Sequence, residues 1–345
     1  LKKKIAMLML FAVTGSLLSS CKSNQPEEEI NKSIKIGVTM YNEFDPFTED
    51  IRHNIEENLL KLGQDSEVDV TTTVVYSSKN QLVQNEQVDD FIEKGYDAIC
   101  VNLVDRTDAS VIIEKAKSAD IPIIFFNREP VEDDLRRFDK LYYVGAKPEE
   151  SGRIQGELVL SAWEDREEDI DLNHDGVIQY VMLEGEAGHP DAIIRSRVSV
   201  DTITAGGVEI ERLGDEIANW DRQQAQTKIN SLLQGYPRQI ELILANDDNM
   251  ALGAVDALKE FGVQTMPLVV GVNGQTEAIE QIKSGLIEGT ALNNAKEKGR
   301  IIAEMAYGLS FNNSIPEDIQ LTKGKYYFVP YEKIDRKNAR QYLQE

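Results

Sequence analysis

From residue 34 onward, short apolar runs alternate with longer stretches whose apolar residues recur every third or fourth position. Short β-branched runs bounded by turn residues read as buried strands, and the longer spacing reads as amphipathic helices. The run 35–41 is a strand. Phe47, Ile51, Ile55 and Leu59 follow at spacing four and predict a helix over 47–62. The same reading gives strands at 68–76, 96–104, 121–126 and 141–144, with helices at 79–94, 109–119 and 148–163 between and after them. Further on it gives a strand ending at Leu183, a helix from Pro190, and strands at 208–213, 240–245, 268–272, 290–292 and 326–330. Helices at 222–233, 250–261, 277–284 and 295–309 separate them.

This β-α alternation predicts parallel sheets with right-handed crossovers. The strands are too many for one comfortable open sheet. The expected fold is therefore α/β, with two doubly wound parallel-sheet domains, and 345 residues are ample for two cores.

The N-terminus reads as a targeting segment. Lys2, Lys3 and Lys4 precede an apolar stretch over 5–18 that is too short to span a bilayer as a normal helix. Leu18-Ser-Ser-Cys21 closes it. Small residues before a cysteine at this place are similar to a bacterial lipoprotein signal, so 1–20 is expected to be removed, Cys21 lipidated, and 21–33 a polar tether. An ordinary secretory signal, with Cys21 incidental, is the alternative. Either way the protein is exported. Cys100 sits in the apolar run Ala-Ile-Cys-Val and reads as a buried, inert thiol.

A net charge of −23 argues against nucleic-acid binding, because nothing would neutralise phosphates. No strand leads into G-x-G-x-x-G or a Walker A sequence, and no G-x-S-x-G is present. His53, His174 and His189 are scattered without zinc spacing.

Chemistry gathers where strands end. There stand Asp45 and Phe47, Asn102 and Asp105, His189, Asp191 and Arg195, Asn219-Trp220-Asp221, Asn246-Asp247-Asp248, Asn273 and Asn293. In an open α/β sheet that edge binds ligands. Singly, each reads as a turn or cap residue, and Asp105, Asp221 and Asp248 are expected to be caps. Collectively they suit a ligand dense in hydroxyls: carboxylates accept, amides do both, Arg and His donate. Phe47 and Trp220 can cover the apolar faces of a sugar ring.

Asp171-Leu-Asn-His-Asp-Gly-Val-Ile-Gln179 carries oxygens at Asp171, Asn173 and Asp175, a turn at Gly176, and more oxygens at the Val177 carbonyl and Gln179. That is the front half of a calcium loop. Loop position twelve, a Glu in an EF-hand, is Met182, and a strand follows instead of a helix. The missing acid must come from elsewhere, or the segment is a plain Asn-Asp-Gly turn.

Several ordered segments resemble the periplasmic D-galactose/D-glucose-binding proteins, over about 34–333. They include Ile124-Phe-Phe-Asn-Arg-Glu-Pro130, Tyr142-Tyr-Val-Gly145, the Asp171 loop with Gly185-Glu-Ala-Gly-His-Pro-Asp-Ala192, and Gly289-Thr-Ala-Leu-Asn293. The resemblance implies the type I periplasmic binding fold, with a three-segment hinge crossing near Ile121, Asn293 and Phe328. One domain would then be 34–121 with 293–328, the other 122–292 with 329–345. It implies sugar contacts from Asp45, Phe47, Asn102, His189, Asp191, Arg195, Trp220, Asp247, Asn273 and Asn293. Asp247 and Asn273 exchange the residue types usual in that family, which bears on sugar preference. It also supplies the missing calcium ligand, Glu241, beside Asp171, Asn173, Asp175, Val177 and Gln179. The implied protein is a monomeric, non-catalytic binder of glucose or galactose that serves an ABC sugar permease, held at the membrane only through its lipid. The alternatives are a component presenting sugar to a chemoreceptor or sensor kinase, and a glycosidase using Asp45, Asp191 and Asp247.

Overall fold

The computed structural model describes residues 33–343. The leader, Cys21 and the tether lie outside them. The strands are β1 (Ser33–Met40), β2 (Asp69–Tyr76), β3 (Ala98–Val101), β4 (Ile123–Phe126), β5 (Leu141–Gly145), β6 (Val177–Glu184), β7 (Glu209–Ile217), β8 (Leu242–Ala245), β9 (Leu268–Asn273), β10 (Gly289–Leu292), β11 (Tyr326–Phe328) and β12 (Glu332–Asp335). The helices are α1 (Pro46–Ser66), α2 (Gln81–Glu93), α3 (Ser110–Ala119), α4 (Pro148–Ile170), α5 (Pro190–Ala205), α6 (Arg222–Gly235), α7 (Asp248–Phe261), α8 (Thr276–Ser284), α9 (Ala295–Asn312) and α10 (Ala339–Tyr342).

Two six-stranded sheets result, ordered β11-β5-β4-β3-β1-β2 and β12-β10-β9-β8-β6-β7. Each is covered by helices on both faces, which is why β3, β4 and β8 are apolar and buried throughout. In the first lobe, Phe47, Ile51, Ile55 and Leu59 of α1 pack with Ile301, Ile302 and Met305 of α9 on one face. Val88, Phe91, Ile112 and Ile113 of α2 and α3 cover the other. In the second lobe, α6, α7 and α8 cover one face and α4 and α5 the other. The edge strand β7 keeps Glu209, Glu211 and Glu216 along its length, which protects an unpaired edge.

The lobes divide differently from the expectation at one crossing. β4 and β5 belong to the first sheet, with Ile123 paired to Ile99 and Leu141 to Ile123. The chain therefore crosses between Gly145 and Pro148, not near Ile121, so residues 122–145 are first-lobe residues. Nothing in the amphipathic pattern marks which sheet a buried strand joins. The other crossings fall between Leu292 and Ala295 and between Phe328 and Glu332, near the positions expected. The second sheet is also not wholly parallel: β12 runs antiparallel to β10, pairing Thr290 with Ile334. This strand, α10 and a 3-10 turn at Asp134–Arg136 carry too short a pattern to read beforehand. Helix α4 outruns its expected end at Trp163 and reaches Ile170, broken at Arg166 (φ −159°, ψ 47°).

Candidate functional site

The C-terminal ends of both sheets face one cavity. Tyr41, Asp45, Phe47, Asn127 and Arg128 line it from the first lobe. His189, Asp191, Arg195, Trp220, Asp247 and Asn273 line it from the second, and Asn293 from the crossing after β10.

Helix starts place much of this wall. Asp45 is the N-cap of α1, and its Oδ1 accepts from the amides of Phe47 (3.0 Å) and Thr48 (3.3 Å) while Oδ2 accepts from Tyr41 Oη (2.7 Å). His189 caps α5, its Nδ1 accepting from the Asp191 amide at 3.2 Å. Asp247 caps α7, with Oδ1 accepting from the Met250 amide at 2.8 Å. A cap residue holds a fixed, extended backbone and an aimed side chain, and the helix end behind it favours negative charge. Pro46 and Pro190 set the first turns of α1 and α5. Asp221 is a cap as expected, on α6. Asp248 is not: its carboxylate is buried and accepts from Thr290 Oγ1 and the Gln275 amide, each at 2.8 Å. Asp105 accepts from the amide of Thr107 and caps a turn, not a helix.

Trp220 (φ 63°) follows Asn219 (φ 53°), both left-handed. Its ring lies where a side chain on Gly185 would stand, and meets the His189 ring edge-on at 5.3 Å. Arg195 is buried and pinned from three sides. Its Nε donates to Ser151 Oγ (2.8 Å), Nη2 to Tyr331 Oη (3.2 Å), and Nη1 to the Asn246 carbonyl. Asn293 Nδ2 donates to Asn273 Oδ1 at 3.3 Å, while Asn293 Oδ1 is buried with no partner.

Burial pushes the Asp45 and Asp191 carboxyls upward and takes Asp247 to about 8. It lowers His189 to about 3, so the imidazole is neutral. Because Nδ1 already accepts, Nε2 carries the proton and is a donor. Buried carboxyl groups, a neutral imidazole donor, a fixed guanidinium and an aromatic ring from each lobe together match a small polyhydroxylated ligand.

The structure thus brings nine of the ten expected residues to one cavity. Asn102 is the exception. It is buried, with Nδ2 donating to the Phe126 carbonyl (3.0 Å) and Oδ1 accepting from the Tyr41 amide (3.5 Å). It ties the ends of β1, β3 and β4 together and does not line the cavity. Tyr41, Asn127 and Arg128 were missed. Asn127-Arg128 follows β4, so the strand-end rule identifies them once that end is included.

The Asp171 loop and Glu241 do meet. Glu241 Oε1 accepts from the Leu172 amide (2.7 Å) and Oε2 from the Gln179 amide (3.0 Å). Asp171 accepts from the amides of Asp175 and Gly176, Asn173 Nδ2 donates to Gln179 Oε1 (2.8 Å), and Gln179 Nε2 to Asp175 Oδ2 (3.0 Å). His174 (φ 59°) and Gly176 (φ 78°) give the wrap. Among the described residues no three His, Cys, Asp or Glu side chains converge as a metal cluster by themselves. The side-chain amides of Asn173 and Gln179 run between Asn173, Gln179 and Asp175.

Two α/β lobes enclosing such a cavity at their strand ends define a cleft-type binding protein. The periplasmic binding protein domain model matches residues 36–313. The chain belongs to that family. It is 34% identical, over 99% of both chains, to a D-galactose/methyl-galactoside binding periplasmic protein of Haemophilus influenzae. It is 28% identical to a xylitol-binding protein of Mycolicibacterium smegmatis, covering 95% of this chain and 84% of that one. Among solved structures it resembles an ABC transporter solute binding protein of Bacillus halodurans with bound myo-inositol, with TM-score 0.75, 26% identity, and 91% and 98% of the two chains covered.

Proposed function

We propose that the protein binds one hexose, glucose or galactose, in the interlobe cavity and delivers it to an ABC permease outside the cytoplasm. The observation that carries this is the cavity wall itself: Phe47 from one lobe and Trp220 from the other, with Asp45, Asp191, Asp247, Arg195 and neutral His189 between them. Aromatic rings cover C–H faces while the polar groups satisfy hydroxyls. The relative of Haemophilus influenzae, named for galactose and methyl-galactoside, supports the choice of a hexose. Similarity to a transporter's solute binding protein supports delivery to a permease over presentation to a chemoreceptor or sensor kinase.

No reaction is assigned. Asp45 and Asp247 each spend one oxygen on the amides of the helix they cap, and Asp45 gives its other oxygen to Tyr41. That suits fixed acceptors better than an acid/base pair. Calcium, in this reading, is held by Asp171, Asn173, Asp175, the Val177 carbonyl, Gln179 and Glu241. It would act structurally, tying the start of β6 to that of β8. Among the described residues no helix is long and apolar enough to cross a membrane. Attachment through a lipid on Cys21, which lies outside those residues, completes the proposal, and mass spectrometry of the membrane-bound protein tests it. Titration calorimetry with glucose, galactose, ribose and xylose tests the sugar: tight one-to-one binding of a hexose supports the reading, and no binding by folded protein contradicts it.

A further inference from the structure

Arg195 lines the cavity from α5, yet two of the three groups that hold it stand beside the hinge. Ser151 lies in the first turn of α4, directly after the first crossing, and Tyr331 lies in the third crossing. Ser151 is tied there by its own hydroxyl, which donates to the Pro148 carbonyl at 2.8 Å. Tyr331 is tied by its amide, which donates to Glu150 Oε2 at 3.2 Å. The two crossings are in turn joined. The Val329 amide donates to the Gly145 carbonyl at 2.8 Å, and Lys147 Nζ sits 5.4 Å from the Phe328 ring centroid.

Close helix packing brings these groups within reach. A Cβ on Gly152 would stand 2.7 Å from the Arg195 carbonyl, so this glycine lets α4 and α5 approach until Ser151 meets the guanidinium. Ser151, Arg195 and Tyr331 are all buried, so a hydroxyl removed there leaves a donor unmet. Burial also raises the Tyr331 phenol above its ordinary range, which keeps the hydroxyl neutral. A guanidinium carries five N–H groups. Nε spends its one on Ser151, Nη2 spends one on Tyr331, and Nη1 spends one on the Asn246 carbonyl. Among the described residues that leaves one N–H on each terminal nitrogen, a two-pronged donor whose direction the three bonds fix.

We propose that Tyr331 and Ser151 are positioning residues for ligand binding: their hydroxyls, anchored beside the first and third crossings, aim the two remaining Arg195 N–H groups at oxygens of the bound sugar. The inference rests on the hexose reading of the cavity. A long cationic side chain that is ordered only on binding pays for it in rotamer entropy, and the two hydroxyls order it beforehand. Neither residue lines the cavity, so truncating either acts on the ligand through Arg195.

The test is titration calorimetry of the whole protein with glucose and galactose, beside the thermal midpoint of each ligand-free protein. The proteins are the wild type, Tyr331→Phe, Ser151→Ala, their double variant and Lys147→Ala. Each single hydroxyl deletion is expected to weaken the better hexose about fivefold to tenfold. The double variant should fall well short of the product of the two losses, because either deletion already loosens the guanidinium. Lys147→Ala loosens the same crossings and touches neither hydroxyl, so its hexose affinity should stay within about twofold of the wild type. The midpoints identify a variant that does not fold, and Tyr331→Phe, which keeps the ring, then carries the test against Lys147→Ala. Unchanged affinity in either folded single variant, losses that multiply in the double, or an equal loss in Lys147→Ala overturns the proposal. Wild-type protein that binds neither hexose contradicts the cavity reading itself, and the proposal falls with it.

Discussion

Arg128 of the first lobe sets both terminal nitrogens against one carboxylate oxygen of Glu186 in the second, each at 3.0 Å. The guanidinium also lies over the Tyr41 ring, 4.6 Å from its centroid, and Lys79 adds a second cation 3.7 Å from Glu186. Arg128 lines the cavity, so a group of the cavity wall also ties the lobes together. The pair is partly buried, with side chains 10% and 23% exposed, which lifts it above an exposed surface pair. Glu186→Gln is expected to weaken hexose binding by about 1–2 kcal/mol, roughly fivefold to thirtyfold, mainly through faster release. Stopped-flow release rates check this, and an unchanged rate removes the latch.

Trp220 owes its position to the missing side chain of Gly185, where any Cβ would collide with the indole. Gly185→Ala should displace the ring and cost about tenfold or more in hexose affinity. The thermal midpoint should fall only modestly, because Gly185 sits in a loop beyond β6. Calorimetry beside thermal unfolding separates the two effects. A variant that loses stability but keeps affinity would show that Trp220 does not contact the ligand.

Asp247 makes stability depend on pH. Burial, partly offset by the Met250 amide and then reinforced by Asp45, moves its carboxyl from 3.8 to about 8. A carboxyl raised in the folded state stabilises most when protonated. That contribution is whole below about 4 and is lost as pH rises through about 8. The ligand-free protein should therefore show a thermal midpoint that declines over this range, and Asp247→Asn should flatten the decline. His189, lowered from 6.5 to about 3, acts in the opposite sense: its stabilisation is whole above 6.5 and is lost as pH falls through about 3. Parallel pH profiles for the wild type and Asp247→Asn would contradict the assignment.

Saturating calcium should raise the thermal midpoint of chelator-treated protein by about 5 °C, since a ligand bound only by the folded state stabilises it. Glu241→Gln should remove most of that shift, because Glu241 joins the loop to β8 through the Leu172 and Gln179 amides. A midpoint that responds to neither chelator nor calcium would leave the segment as a turn.

The β-α rhythm was legible because strands covered on both faces read as short apolar runs, and helices such as α1 show one apolar face. Sheet membership was not. β4 and β5 look alike whichever lobe they join, and their assignment depends on pairing, β4 with β3 and β5 with β4 and β11, which the apolar pattern does not show. The site was legible for a related reason. Asp45, His189 and Asp247 are at once helix caps and cavity residues, so the local signal for a helix start coincides with the functional one. Asn102 shows the reverse case, a strand-end amide whose two bonds serve the backbone of its own lobe. Arg128 was missed because the end of β4 was not read as part of the edge.

The central claim is that one hexose is held between Phe47 and Trp220 with Asp247 and Asn273 contacting it. Calorimetric titration with glucose and with galactose, on the wild type and on the paired exchange Asp247→Asn with Asn273→Asp, tests it most directly. The account predicts one-to-one binding of a hexose by the wild type and a shifted glucose-to-galactose affinity ratio in the exchanged protein. Folded protein that binds neither sugar, or an exchange that leaves the ratio untouched, would contradict it.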